Sequence, residues 1–132
     1  MEAAYSLANG IYADFNANIV DYDARDAAGV EVPSYVGTPA DQLRLSVGKR
    51  WDRELDLSWE MIASAKYDEV TTPFPGATLH NLRRTYRPSA GVLKGTELRF
   101  AGENLFDKEY QTRLATRPAP GRNIKFAVAR TF

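Results

Sequence analysis

The chain has 132 residues, enough for one domain, and its 17 Lys and Arg balance its 17 Asp and Glu to a formal net charge of zero. That balance removes the simplest electrostatic case for a nucleic-acid partner or for a surface held by net charge alone. Cysteine is absent, which excludes disulfides, thiolate metal sites and cysteine nucleophiles.

The first residues, MEAAYSLANG, carry no basic leader followed by an apolar stretch, so structure is expected from the start, with a first strand over 2–7. Asn9-Gly10 then predicts a tight type I′ hairpin turn, because both residues tolerate positive φ. From 11 to 22 the chain alternates: Ile11, Ala13, Phe15, Ala17 and Ile19 share one face, and Tyr12, Asp14, Asn16, Asn18 and Val20 the other. A period of two over that length is the mark of a strand with two unlike faces. A long polar link follows, Asp23 to Ala40.

The next strand, 41–51, sets Leu43, Leu45, Val47, Lys49 and Trp51 against Gln42, Arg44, Ser46, Gly48 and Arg50. After a short Asp52-Arg53 turn, 54–67 sets Leu55, Leu57, Trp59, Met61, Ala63, Ala65 and Tyr67 against Asp56, Ser58, Glu60, Ile62, Ser64 and Lys66. A second long link, Asp68 to Thr78, leads to a weaker strand, 79–87, in which Leu82 and Tyr86 flank Arg84. Pro88 to Gly95 is a moderate turn. The strand 95–105 opposes Leu98, Phe100 and Gly102 to Glu97, Arg99, Ala101 and Glu103. After the link Phe106 to Gly121, a last strand, 122–132, puts Ile124, Phe126, Val128 and Phe132 on one face. No helix shows convincing caps and periodicity, and neither a second domain nor a flexible linker is visible.

These elements predict an all-β, antiparallel, up-and-down sheet of about seven strands. Alternation alone leaves two readings open. In a soluble β-sandwich or small soluble barrel the apolar face packs on other protein; in a transmembrane barrel it meets lipid. Three features favour lipid. The strands approach the roughly 9–11 residues that cross a bilayer at a tilt. Aromatic residues sit near strand ends (Trp51, Tyr67, Tyr86, Phe132). Short turns alternate with long loops. The polar face, with Asp14, Arg44, Asp56, Glu60, Glu97, Arg99 and Glu103, suits a hydrated or plugged lumen. Lys49 and Arg130 lie on the apolar face near strand ends, where long basic side chains reach the headgroups.

Chemistry-bearing constellations are sparse. His80 is the only histidine, with no nucleophile motif around it. Asp56 and Glu60 share a face, and a salt lattice with Arg44 and Arg99 outweighs an acid–base pair. There is no metal-ligand cluster and no phosphate-cradling Gly-rich loop, so the reading expects no catalytic residue, no metal, no cofactor and no enzyme.

The segment GENLFDKEY, a polar loop, and then PGRNIKFAVARTF resemble the C-terminus of a TonB-dependent outer-membrane receptor. Asn104, Leu105, Phe106, Asp107 and Tyr110 match the family's Asn-Leu-Phe-Asp-x-x-Tyr element; Pro120, Gly121 and Arg122 match its Pro-Gly-Arg-like entry to the last strand. Phe126, Val128 and Phe132 match the terminal assembly signal, from which Arg130 departs. RPSAGVLKGTELRFAGENLFD resembles the haem and haemoglobin receptor branch more than the siderophore branch. Family members close barrels of about 22 strands around a plug, so the resemblance implies that residues 1–132 form an open arc, the C-terminal part of such a barrel without its plug domain. It further implies the Gram-negative outer membrane and uptake of a scarce nutrient such as haem or an iron-siderophore. The implied partners are outer-membrane lipid, the barrel-insertion machinery acting on the last strand, upstream strands and plug of the parent receptor, and the TonB complex acting through that plug. The resemblance lends no support to His80 as a haem ligand. The structural roles expected are backbone bonding for Asn104 and Asp107 and loop packing for Phe106 and Tyr110.

Overall fold

In a computed structural model, residues 1–20, 24–25, 27–32, 40–66, 75–111 and 117–130 are described. Seven strands form one antiparallel sheet: β1 (Glu2–Ser6), β2 (Ile11–Asn18), β5 (Gln42–Trp51), β6 (Leu55–Ser64), β7 (Ala77–Tyr86), β8 (Thr96–Glu103) and β9 (Asn123–Arg130). Each pairs with the next in the order given, so the sheet is a meander, and it does not close on itself. The remaining two strands, β3 (Ala24–Arg25) and β4 (Glu31–Val32), make a separate small hairpin.

All seven expected strands are present, most of them shorter at the long-loop end. The strand expected over 11–22 stops at Asn18, and that expected over 95–105 stops at Glu103. β7 starts two residues earlier than expected, at Ala77. The expected positions 21–22, 67 and 131–132, with Tyr67 and Phe132 among them, lie outside the described residues. The hairpin β3–β4 falls where a plain loop is expected; two-residue strands are too short to carry an alternation.

The first turn differs from expectation. A type I′ turn needs positive φ at both central residues, but across 7–10 only Gly10 has it, at 82°. The Gly10 N–H donates to the Leu7 carbonyl at 3.0 Å, and the Asn9 side chain accepts from the Ile11 N–H at 3.2 Å. The chain thus turns through Ala8 and Asn9 and places Gly10 as the left-handed residue, the three-residue alternative to the two-residue turn.

The register keeps both faces consistent across the sheet. On one face Val47, Trp59, Leu82, Gly102 and Ile124 form a row; on the other Ser46, Glu60 and Asn81 do. The burial is the reverse of a soluble domain. Among the described residues no hydrophobic side chain is buried, and the buried polar or charged residues are Glu60, Asn81, Thr96 and Asn104. Large apolar side chains stand exposed instead, Tyr5 at 67% and Phe126 at 68%. No helix among the described residues is long and apolar enough to cross a membrane, which says nothing of strands.

Candidate functional site

The polar face is organised by paired charges. At the short-turn end, Tyr12 and Asp56 meet across Gly48: the Tyr12 hydroxyl donates to Asp56 Oδ1 at 2.8 Å, and Arg50 Nε donates to Asp56 Oδ2 at 2.8 Å. The Arg50 guanidinium lies 4.7 Å from the Tyr12 ring centroid. A Cβ at position 48 would lie 2.3 Å from the Tyr12 ring, so any larger residue there would displace the ring from this position. The ring therefore lies over bare backbone, an arrangement that fixes where its hydroxyl can reach.

Midway up the same face, Glu60 is 5% exposed and holds three donors. Asn81 Nδ2 donates to Glu60 Oε2 at 2.8 Å, Arg83 donates to the same oxygen at 3.2 Å, and Arg44 Nε sits 3.7 Å from Oε1. A carboxylate taken out of water is tolerated only with such partners. On β8 and β9, Glu97 bonds both Arg87 and Arg99, and Lys125 pairs with Glu103 at 2.7 Å. No buried side-chain polar atom among the described residues lacks a partner.

The lattice differs in detail from the sequence reading. Arg44 does pair with Glu60, but Arg99 pairs with Glu97, not with Asp56 or Glu60. Asp56 takes Arg50 and Tyr12 instead. The register explains this: Asp56 faces Arg50 directly, while Arg99 lies beyond β7, opposite Thr85. Asn81 and Arg83, which complete the Glu60 site, are missing from the sequence reading. β7 carries polar residues on both faces, so its alternation gives no sign of which ones point toward Glu60.

Glu60 connects through Asn81 to the Asn-Leu-Phe-Asp element. The Asn81 side-chain oxygen accepts from the Asn104 backbone N–H at 3.0 Å. Asn104 is 4% exposed and has a φ of 50°, a left-handed value that asparagine tolerates better than most residues. Its side chain closes a loop on itself: Oδ1 accepts from the Lys108 N–H at 2.8 Å, and Nδ2 donates to the Lys108 carbonyl at 2.9 Å. The Leu105 N–H donates to the His80 carbonyl at 2.9 Å, tying the turn to β7.

Asp107, with φ 54°, reaches across to the Pro-Gly-Arg element. Its Oδ1 accepts from the Arg122 N–H at 2.7 Å. A Cβ at position 121 would lie 2.5 Å from that same oxygen, so the approach requires Gly121. Two motifs separated by a long loop are thereby joined at one hydrogen bond, just before β9 begins. Tyr110 accepts through its carbonyl from the Ala119 N–H at 2.9 Å, closing the base of that loop, and Pro120 is exposed. Phe126 and Val128 are exposed on the apolar face.

His80 projects on the apolar side of β7. Its ring stacks on Trp59 with centroids 5.5 Å apart and meets the edge of Phe106 at 5.0 Å. Among the described residues no group of three or more His, Asp or Glu converges as a metal site. With the oxygens of Asp56 and Glu60 already engaged by cations and amides, the arrangement suits a fixed wall of paired charges better than a proton-transfer pair.

No protein-family model matches the chain. Among curated proteins, it is similar to heme/hemopexin utilization protein C of Haemophilus influenzae, in strain 86-028NP and in strain KW20 / Rd, at 41% identity over 59 residues in each case. The match takes in 45% of this chain and 8% of each relative, so the chain corresponds to a small part of the proteins it resembles. The resemblance to the TonB-dependent receptors, carried by the terminal motifs, is borne out by this partial match.

Proposed function

We propose that residues 1–132 are a C-terminal part of the β-barrel of a TonB-dependent receptor, seated in the outer membrane of a Gram-negative bacterium and serving the uptake of haem. On this reading the apolar face meets lipid and the polar face forms part of the lumen wall. The three long connections lie on the extracellular side and the short turns on the periplasmic side, the usual layout of such barrels. The upstream strands and plug of the parent receptor complete the transporter, and the energy-transducing TonB complex acts through that plug. Asn104, Leu105, Phe106, Asp107 and Tyr110, with Pro120, Gly121 and Arg122, serve as the structural junction between the last two strands. Phe126, Val128 and Phe132 form the signal read by the insertion machinery. No catalysis is assigned to the chain.

The observation that carries this reading is the inverted burial: exposed Phe126, Ile124 and Val128 on one face, buried Glu60 on the other. In water each such apolar side chain left uncovered forgoes roughly 1.5–3 kcal/mol. Lipid removes that penalty without a second protein layer. The names of the similar proteins support haem as the cargo. A soluble ligand-binding sandwich or barrel is the competing reading, and nothing in the burial favours it.

Two measurements test the proposal. The purified chain is expected to need detergent or lipid; a soluble monomer in plain buffer at neutral pH would overturn the membrane reading. Deleting the parent gene in its native host is expected to abolish growth on haem as the iron source. Unchanged growth would overturn the haem assignment.

A further inference from the structure

The cations of the two faces are treated differently. On the polar face Arg44, Arg50, Arg83, Arg99 and Lys125 all pair with carboxylates. The apolar face carries Lys49, Arg84 and Arg130, and no Asp or Glu occupies that face in any of the seven strands. Arg84 is exposed and makes no ion pair among the described residues. Lys49 Nζ lies over the Trp51 ring, 5.2 Å from its centroid, and likewise has no carboxylate among them.

Their positions are not scattered. Lys49 faces Leu57, and Leu57 faces Arg84, so the two cations sit in one row across β5, β6 and β7. At the usual strand spacing that puts their backbones roughly 10 Å apart. Each lies two residues before an aromatic strand end, Trp51 or Tyr86, about 7 Å along the strand. A lysine or arginine stem spans much of that distance toward the headgroup level. Arg130 closes β9 at the same end. Arg84 also lines an open, mostly apolar groove of about 220 Å³ with Tyr86, Leu98, Arg99, Phe100 and Phe126, in which Arg99 is already paired with Glu97.

We infer that Lys49 and Arg84 form a binding site for the headgroup of an anionic phospholipid in the leaflet at the short-turn end, with an acyl chain lying in the groove beside Phe100 and Phe126. The inference rests on the membrane reading above. Charge complementarity selects the occupant: two cations without a counter-charge on their own face, at headgroup depth, attract a phosphate that carries net negative charge more than a zwitterionic one.

The test uses the full chain with Trp59→Phe, which leaves Trp51, beside Lys49, as its one tryptophan. The protein is reconstituted in phosphatidylcholine vesicles containing a minor phosphatidylglycerol component, with brominated acyl chains on one lipid or the other. Brominated phosphatidylcholine is expected to quench Trp51. Brominated phosphatidylglycerol should quench as though enriched about fivefold at the site, and Lys49→Gln with Arg84→Gln should abolish that preference. Equal quenching per mole by both lipids in the parent chain overturns the inference and leaves the membrane reading standing. A preference that survives the double substitution also overturns it, as does cross-linking of two copies through this face without any lipid preference. Quenching by neither lipid overturns the membrane reading, and the inference with it.

Discussion

The two faces of the sheet are built from the same strands, yet they solve opposite problems. On the polar face Glu60 is buried beneath Asn81, Arg83 and Arg44, and its stability depends on partners. On the apolar face Val47, Leu82 and Ile124 share a row and depend on what surrounds the sheet. The difference shows where specificity lies. The polar face fixes which strands are neighbours, because a carboxylate accepts only particular donors. The apolar face requires only a solvent.

The most severe challenge to that contrast is a charge in the middle of the apolar face. Leu82→Arg, in mid-β7, is expected to cost about 2–4 kcal/mol of folding stability in lipid, and the same change at Leu55, the first residue of β6, no more than about 1 kcal/mol. Urea titration in vesicles measures both. A cost that does not fall toward the strand end would contradict lipid on this face, since a soluble core has no such depth gradient. Next comes Glu60→Ala. It leaves Asn81 without its acceptor and strands two arginines, and about 3 kcal/mol is expected, the low end for a broken buried pair because both arginines are half exposed. The same titration in detergent reads it; a change below about 0.5 kcal/mol would show the polar face to be mere surface. Smaller again is Asn104→Ala, which removes two hydrogen bonds to Lys108 and disfavours the left-handed φ, for about 2 kcal/mol. Asn104→Gly keeps the φ accessible and loses only the bonds, so it should fall between that variant and the parent.

Much of the sheet can be read from the sequence because one face of most strands is uniformly apolar. β2 and β6 keep one face apolar throughout and β5 does so but for Lys49, and their register follows from keeping Phe15, Leu45 and Met61 on one side. β7 is harder to read: His80 and Arg84 stand on its apolar side, so the alternation nearly vanishes. The ends of the strands are unreadable for a different reason. Nothing in local patterning says where pairing stops; that is set by where the long connections depart. Within the terminal motif, residue types alone point to side chain–backbone bonding by Asn104 and Asp107. That Asp107 reaches the Arg122 amide, 15 residues on, depends on β8 and β9 being adjacent, a relation no short window contains. Gly48 illustrates the same limit, since the space it leaves is used by the Tyr12 ring of the neighbouring strand.

The meander is open at two rims. Its outermost strands, β1 and β9, each have a single neighbour. Every other backbone N–H and C=O along their outer rims points away from the sheet. In water those groups are hydrated at little cost; in hydrocarbon each unsatisfied one costs several kcal/mol. If lipid covers the apolar face, each rim therefore draws in a further strand, and in vesicles of this chain alone another copy of the arc supplies it. Completeness of the sheet is thus checked by the backbone, at both rims, independently of the paired charges on its polar face.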